Sequence, residues 1–189
     1  QWLDLNKLHN ISSDVSCTGG QMARGLGLAL ASKLFKTGPD FPDKERLTSD
    51  GNEVCFCTIG DSSTSEGAFW ETMNAAAVNR LPLIACVWDD GYGISVPVEK
   101  QTTKSSISKA MEGFAVDESG EGMFVHTVKG WDYPALCAVF ETITEKVRKE
   151  SRPALIHVTE LTQPQGHSTS GSHERYKTKE RLTWEKDYD

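Results

Sequence analysis

The sequence has no Cys-x-x-Cys pair, although it holds five cysteines (Cys17, Cys55, Cys57, Cys86 and Cys137) among its 189 residues. An odd, scattered set of this kind excludes a disulfide framework and a structural zinc site, both of which need clustered spacings. Three of the five lie in the apolar runs 54–57 and 85–87, where cysteine serves as a small buried hydrophobe, and a reducing compartment is expected. No apolar run approaches the roughly 20 residues that cross a bilayer. The start, Gln1-Trp2-Leu3-Asp4, lacks the basic and apolar regions of a secretory signal. Positive charge is in deficit: 20 Lys and Arg against 27 Asp and Glu leave a net −7. That balance argues against nucleic acid or an anionic membrane as the main partner. Internal repeats and low-complexity segments are missing, and so is an initiator Met. The expectation is one domain over residues 1–189, excised from a longer chain.

What is present is an alternation of strand-like and helix-like segments. Residues 19–36 carry Met22, Leu26, Leu28, Leu30, Leu34 and Phe35 among small residues, which predicts a helix whose Gly25 and Gly27 allow close packing. Turn formers fill 37–52, an exposed loop. A short apolar strand over 53–59 runs into Gly60-Asp61, and Ser63-x-x-Glu66 has the form of a capping box opening a helix over 64–79. A second strand over 82–88 ends in Asp89-Asp90. Residues 97–122 read as a long polar loop with a short helical piece, and 123–128 as a third strand. Asp132 is placed to cap the next helix, with Pro134 in its first turn and Leu136, Val139, Phe140, Ile143 and Val147 on one face. A last strand over 153–161, a polar stretch and a charged helix near 179–186 complete the chain. The pattern predicts an α/β fold, a three-layer sandwich with a mostly parallel sheet covered by helices on both faces.

In an open parallel sheet, ligands bind at the carboxyl ends of the strands. Two strands here exit through acids, Asp61 and Asp89-Asp90, and a third through Gln163-Pro164-Gln165-Gly166-His167-Ser168. A lone Asp after a strand is ordinarily a solvated turn residue. Two acidic exits with a glycine-flanked His point instead to a site. The exit Gly60-Asp61-Ser62-Ser63 leads into a helix N-terminus, where backbone N–H groups favour a phosphate. A phosphate beside Asp61 needs a cation between them, and Mg²⁺ fits because it takes few carboxylates and bridges phosphate oxygens. A Walker-type loop is excluded, since G-x-x-x-x-G-K-[ST] does not occur.

The stretch Gly60-Asp61-Ser62-Ser63-Thr64-Ser65-Glu66-Gly67, followed by Asp89-Asp90-Gly91-Tyr92-Gly93-Ile94-Ser95, resembles the thiamine-diphosphate motif, which begins Gly-Asp-Gly and closes with an Asn-Asn pair. It is similar more narrowly to the alpha part of 2-oxo acid dehydrogenase first components of the pyruvate, branched-chain and acetoin type. Gln21 after Ser16-Cys17-Thr18, the run Trp131-Asp132-Tyr133, and Gly166-His167-Ser168-Thr169-Ser170 before Tyr176 fit the same pattern in one collinear order over about residues 12–185. The resemblance implies thiamine diphosphate and Mg²⁺ as cofactors. It implies Asp61, Asp90 and the carbonyl of Tyr92 as metal ligands. Gly60, Ser62 and Ser63 would meet the diphosphate through their backbone, His167 from a loop, and Ser16 to Thr18 the aminopyrimidine.

Five positions depart from the pattern. Ser62 stands for the second Gly, Asp89-Asp90 for Asn-Asn, Trp88 for an Arg of the branched-chain type, and Gln165 for a His of the pyruvate type. Asp89 and Asp90 both bring negative charge toward the metal. The implied reaction is oxidative decarboxylation of a small 2-oxo acid, with the acyl group passed to a lipoyl-bearing acyltransferase. No catalytic residue is expected in this chain, because the activating Glu of such enzymes comes from a separate pyrimidine-binding, beta-type domain or subunit. The expectation is half a site, inactive alone, assembled as a dimer or heterotetramer in the bacterial cytoplasm or, alternatively, the mitochondrial matrix. Transketolase-like ketol transfer and a non-catalytic scaffold are the rival readings. His9, His126, His157 and His173 are read as structural or surface histidines, and the tryptophans as packing groups.

Overall fold

A computed structural model describes residues 16–40, 42, 44–49, 51–168 and 171–189, with the backbone of 2–3 and 10–11. In chain order, β1 (Trp2–Leu3) and β2 (Asn10–Ile11) form an antiparallel pair. Helix α1 (Gly20–Thr37) is followed by one turn, α2 (Lys44–Leu47), inside the segment expected as a loop. Then come β3 (Cys55–Gly60), α3 (Gly67–Val78), β4 (Leu83–Trp88) and the two-stranded ribbon of β5 (Tyr92–Gly93) and β6 (Val96–Pro97). The short α4 (Ile107–Ala110) precedes β7 (Phe124–Lys129), α5 (Tyr133–Glu150), β8 (Ala154–Thr159) and α6 (Lys179–Tyr188).

The main sheet has the order β3-β4-β8-β7, and every pairing in it is parallel. Its two faces follow from the two-residue period of a strand. Cys57, Ile59, Leu83, Ala85, Val87 and Leu155 point to one side, where they meet Met22 and Ala29 of α1, Phe69 and Met73 of α3, and Ile107 of α4. Ile84, Cys86, Val128, Ala154, Ile156 and Val158 point to the other, against Ile143 and Val147 of α5. Three layers result, as expected. Central β4 and β8 are buried along almost their whole length, which is why β4 is an unbroken apolar run and β8 is apolar but for His157 and its last residue.

Local details refine the reading. Gly25 rests on Cys57 and Leu83, where a Cβ would come within 3.1 Å of the cysteine, whereas Gly27 faces open space. Asp132 caps α5 through Oδ1, which accepts from Ala135 N–H at 3.1 Å, with Pro134 in the first turn. The capping box does not form. Ser63 sits in a 3-10 turn over Ser62–Ser65, and its carbonyl accepts from Glu66 N–H. Thr64 holds that turn by donating both N–H and Oγ1–H to the Asp61 carbonyl. The α-helix therefore starts a turn late, at Gly67, with Glu66 at its N-cap and no side-chain cap bond. Burial pushes the Cys55 and Cys86 thiols up to about 12, so both are inert packing groups.

Candidate functional site at the carboxyl edge of the sheet

The strand exits are stitched together by backbone bonds. Asp61 N–H donates to the Trp88 carbonyl, Asp89 N–H to that of Val158, and Leu161 N–H to that of Asp89. The acids that follow β3 and β4 and the loop that follows β8 thus share one edge, the place where parallel sheets present ligand sites. The ribbon β5-β6 folds back toward the first exit. At Gly93 a Cβ would lie 2.3 Å from Ser62 Oγ and 2.6 Å from the Gln101 amide, so a larger residue would have to displace both side chains.

Asp61 is 5% exposed, and its Oδ2 is buried without a hydrogen-bond partner. Burial, then the charges of Asp89 and Asp90, push its carboxyl up to about 7 against a hydrogen bond from Ser62 N–H. Asp90 is also raised, chiefly by burial, even though Lys177 and Arg181 pull it down. An orphaned carboxylate oxygen amid further acids is an arrangement that a cation completes. Among the described residues no three acid, His or Cys side chains form a ready metal cage. A metal held here takes its remaining oxygens from the backbone and from its ligand, which is the habit of Mg²⁺.

Two expectations need correction. The charge of Asp89 reaches Asp61, but its carboxylate is engaged by other partners: Oδ1 accepts from Gly91 N–H at 2.8 Å and Oδ2 lies 2.7 Å from His157 Nε2. The reason is strand parity, since Asp89 continues the face of Val87, which His157 shares. The second correction concerns the first exit, which enters the 3-10 turn over Ser62–Ser65 before α3 begins. Any phosphate beside Gly60, Ser62 and Ser63 meets the amides of that tighter turn.

The other expected groups are placed as follows. Ser16 and Thr18 are exposed ahead of α1, and Gln21 Nε2 donates to the Thr58 carbonyl at 3.0 Å, which ties that segment to β3 near its exit. Asp90 Oδ1 accepts from Tyr92 N–H at 3.2 Å, so Asp90 and Tyr92 form one turn. His167 is exposed on its loop, and no hydrogen bond among the described residues joins its ring to Asp61 or Asp90. Thr169 and Ser170 lie outside the described residues. Trp88 stacks on Phe140 at 6.5 Å between ring centres, facing α5.

Sequence reasoning missed a buried clasp behind the second exit. Lys177 Nζ donates to both Glu185 oxygens at 2.8 and 2.9 Å and to the Gln163 carbonyl at 2.8 Å. Arg181 Nε donates to Glu185 at 2.8 Å, and its Nη2 to the carbonyls of Asp90 at 2.8 Å and Leu161 at 3.1 Å. Helix α6 thereby fixes both the Asp90 turn and the start of the His167 loop. Tyr176 packs on Tyr92 at 5.6 Å. The i, i+4 spacing of Arg181 and Glu185 was visible, but such pairs ordinarily lie on solvated faces.

The raised carboxyl of Asp61 gives a measurable pH signature in the metal-free chain. The folded state keeps the proton up to about pH 7, while the ordinary value is 3.8. Because the folded state binds it more tightly, the stabilisation is full below the ordinary value and is lost as pH rises through about 7. The loss amounts to roughly 4 kcal/mol by the usual conversion. Thermal melts of wild type and Asp61→Asn across this window should show the difference: the variant gains on wild type as pH rises. Parallel curves would mean that Asp61 is not held protonated.

The described residues form a three-layer α/β domain whose main sheet is all parallel and ends in acids at its carboxyl edge, the edge at which such sheets present ligand sites. The chain belongs to the dehydrogenase E1 component family, whose sequence profile matches residues 4–189. It is 32% identical over 164 residues to a pyruvate dehydrogenase E1 component subunit alpha of Acholeplasma laidlawii, covering 86% of this chain and 41% of that one. A 3-methyl-2-oxobutanoate dehydrogenase subunit alpha of Mycobacterium tuberculosis is 32% identical over 165 residues, 87% of this chain and 39% of its own. A mitochondrial 2-oxoisovalerate dehydrogenase subunit alpha 2 of Arabidopsis thaliana is 32% identical over 140 residues, 73% and 28% of the two chains. The chain thus spans less than half the length of these relatives. Its fold is the thiamine-diphosphate-binding fold of E1 alpha chains.

Proposed function

We propose that this chain binds thiamine diphosphate and Mg²⁺ as half of the active site of a 2-oxo acid dehydrogenase. The observation that carries the reading is Asp61, a buried carboxylate with an orphaned oxygen at a strand exit, crowded by two further acids. Asp61, Asp90 and the Tyr92 carbonyl would hold the metal. The backbone of Gly60, Ser62 and Ser63, with His167, would hold the diphosphate, and the Ser16–Thr18 segment the aminopyrimidine. When bound, the cofactor supplies the electron sink for decarboxylation. This chain's residues bind it, orient it and offset its charge.

The rest of the reaction belongs to partners: a pyrimidine-binding beta-type domain with the activating Glu, and a lipoyl-bearing acyltransferase that accepts the acyl group. The 2-oxo acid substrate is supported by the relatives' names, which include pyruvate and branched-chain enzymes. The relatives also frame the compartment, bacterial cytoplasm with the mitochondrial matrix as the alternative.

Calorimetric titration of the full-length protein with thiamine diphosphate, with and without Mg²⁺, tests the reading. Saturable heat that requires Mg²⁺ is the expected result. Absence of specific heat would identify a scaffold domain instead.

A further inference from the structure

Between α4 and the exits of β7 and β8 lies a recess of about 570 Å³ that the cofactor reading leaves unused. His157 stands in its wall, only 1% exposed, and two hydrogen bonds fix both of its ring nitrogens. Nε2 is 2.7 Å from Asp89 Oδ2, and Nδ1 is 2.9 Å from Ser108 Oγ. In the tautomer whose Nε2–H donates to Asp89, Nδ1 is an acceptor and takes the hydroxyl proton of Ser108 in a hydrogen bond. Thr127 Oγ1 donates to Ser108 Oγ at 3.2 Å, and Ser106 Oγ lies 3.1 Å from it.

We propose that Ser108 is an acyl-accepting nucleophile, with His157 as its general base and Asp89 as the residue that orients His157. Nucleophile, base and orienting acid within hydrogen-bond reach are the geometric requirement for activating a serine. Ser108 is half-exposed and lines the recess, while its base is shielded from water. The lining holds Asp89, Glu112 and Glu160 with Lys109, and Glu112 and Glu160 are paired with Lys104 and Lys129, so the recess has no excess of positive charge to hold a phosphate ester. A small, uncharged acyl ester or thioester is the substrate class that fits.

In the first step Ser108 Oγ bonds to the acyl carbon and its proton passes to His157 Nδ1. The bond from that carbon to the leaving alcohol or thiol breaks, and the leaving group takes the proton. Water then adds to the acyl-serine with His157 again as base, the acid is released and Ser108 is regenerated. No oxidant, metal or cofactor takes part.

The test incubates the whole chain with p-nitrophenyl acetate in EDTA without thiamine diphosphate, so its outcome is independent of the cofactor reading. A burst of nitrophenolate with acetyl on the Ser108 peptide by mass spectrometry is expected. Ser108→Ala, which deletes one half-exposed hydroxyl, should remove the burst. His157→Gln should slow acylation by about 100-fold or more, the contribution of a general base. Acetyl found only on lysines, a burst that survives Ser108→Ala, or unchanged acylation in a folded His157→Gln would overturn the proposal. Should His157→Gln fail to fold, the Ser108→Ala result decides alone.

Discussion

Asp61→Ala in the assembled enzyme is expected to abolish Mg²⁺-dependent binding of thiamine diphosphate, a loss of roughly 100-fold or more in affinity. Outer-shell changes around a metal already cost 10- to 100-fold, and Asp61 is proposed as a direct ligand. The same substitution should leave the metal-free chain more stable than wild type above about pH 7, because it deletes a buried carboxylate that is costly when ionised. Gain of stability with loss of binding is the mark of a residue kept for function. Asp90→Ala should also lose binding without the same gain, since Lys177 and Arg181 partly offset its charge. Wild-type affinity in both variants by calorimetric titration would remove the metal assignment.

Glu185→Ala should be the most destabilising single change on α6. The carboxylate is fully buried and accepts from both Lys177 and Arg181, and Lys177 is itself 1% exposed at its side chain. Removing the acid leaves a buried ammonium without its counter-charge, a loss typically of about 3–5 kcal/mol. Denaturant unfolding should show a loss of that size. Lys177→Met combined with Glu185→Leu should recover much of it, since a buried pair replaced by apolar groups is often near neutral. A loss under about 1 kcal/mol for Glu185→Ala would place the clasp among ordinary surface pairs. Arg181, released from Glu185, would also hold the Asp90 carbonyl less firmly, so the metal site should weaken in parallel.

Where the strands lie, and which exits converge, was legible because β4 is an unbroken apolar run, β8 is apolar but for His157 and its last residue, and α5 carries both a cap and a single apolar face. That Asp61 and Asp90 share the carboxyl edge was legible from their positions just after two apolar strands. The start of α3 was not, because Ser63-x-x-Glu66 satisfies the capping pattern equally well in a 3-10 turn, and the Thr64 bonds to Asp61 decide the outcome. The role of Asp89 was hidden for another reason: its orientation depends on His157, which is remote in sequence and becomes its neighbour only through the pairing of β4 with β8. The clasp was hidden likewise, since Lys177, Arg181 and Glu185 look like solvated charges until α6 docks.

The order of the sheet also dictates when the domain can come into being. Strand β8 is the last of the four described strands in chain order, yet it lies between β4 and β7 and forms ladders with both. Until it emerges, β4 and β7 share no ladder, and closing so long a loop must precede any reward. Asp89 finds both His157 and the Val158 carbonyl on that strand. A nascent chain stopped after α5 would therefore be missing the middle of its sheet, with two apolar strand edges open to other chains.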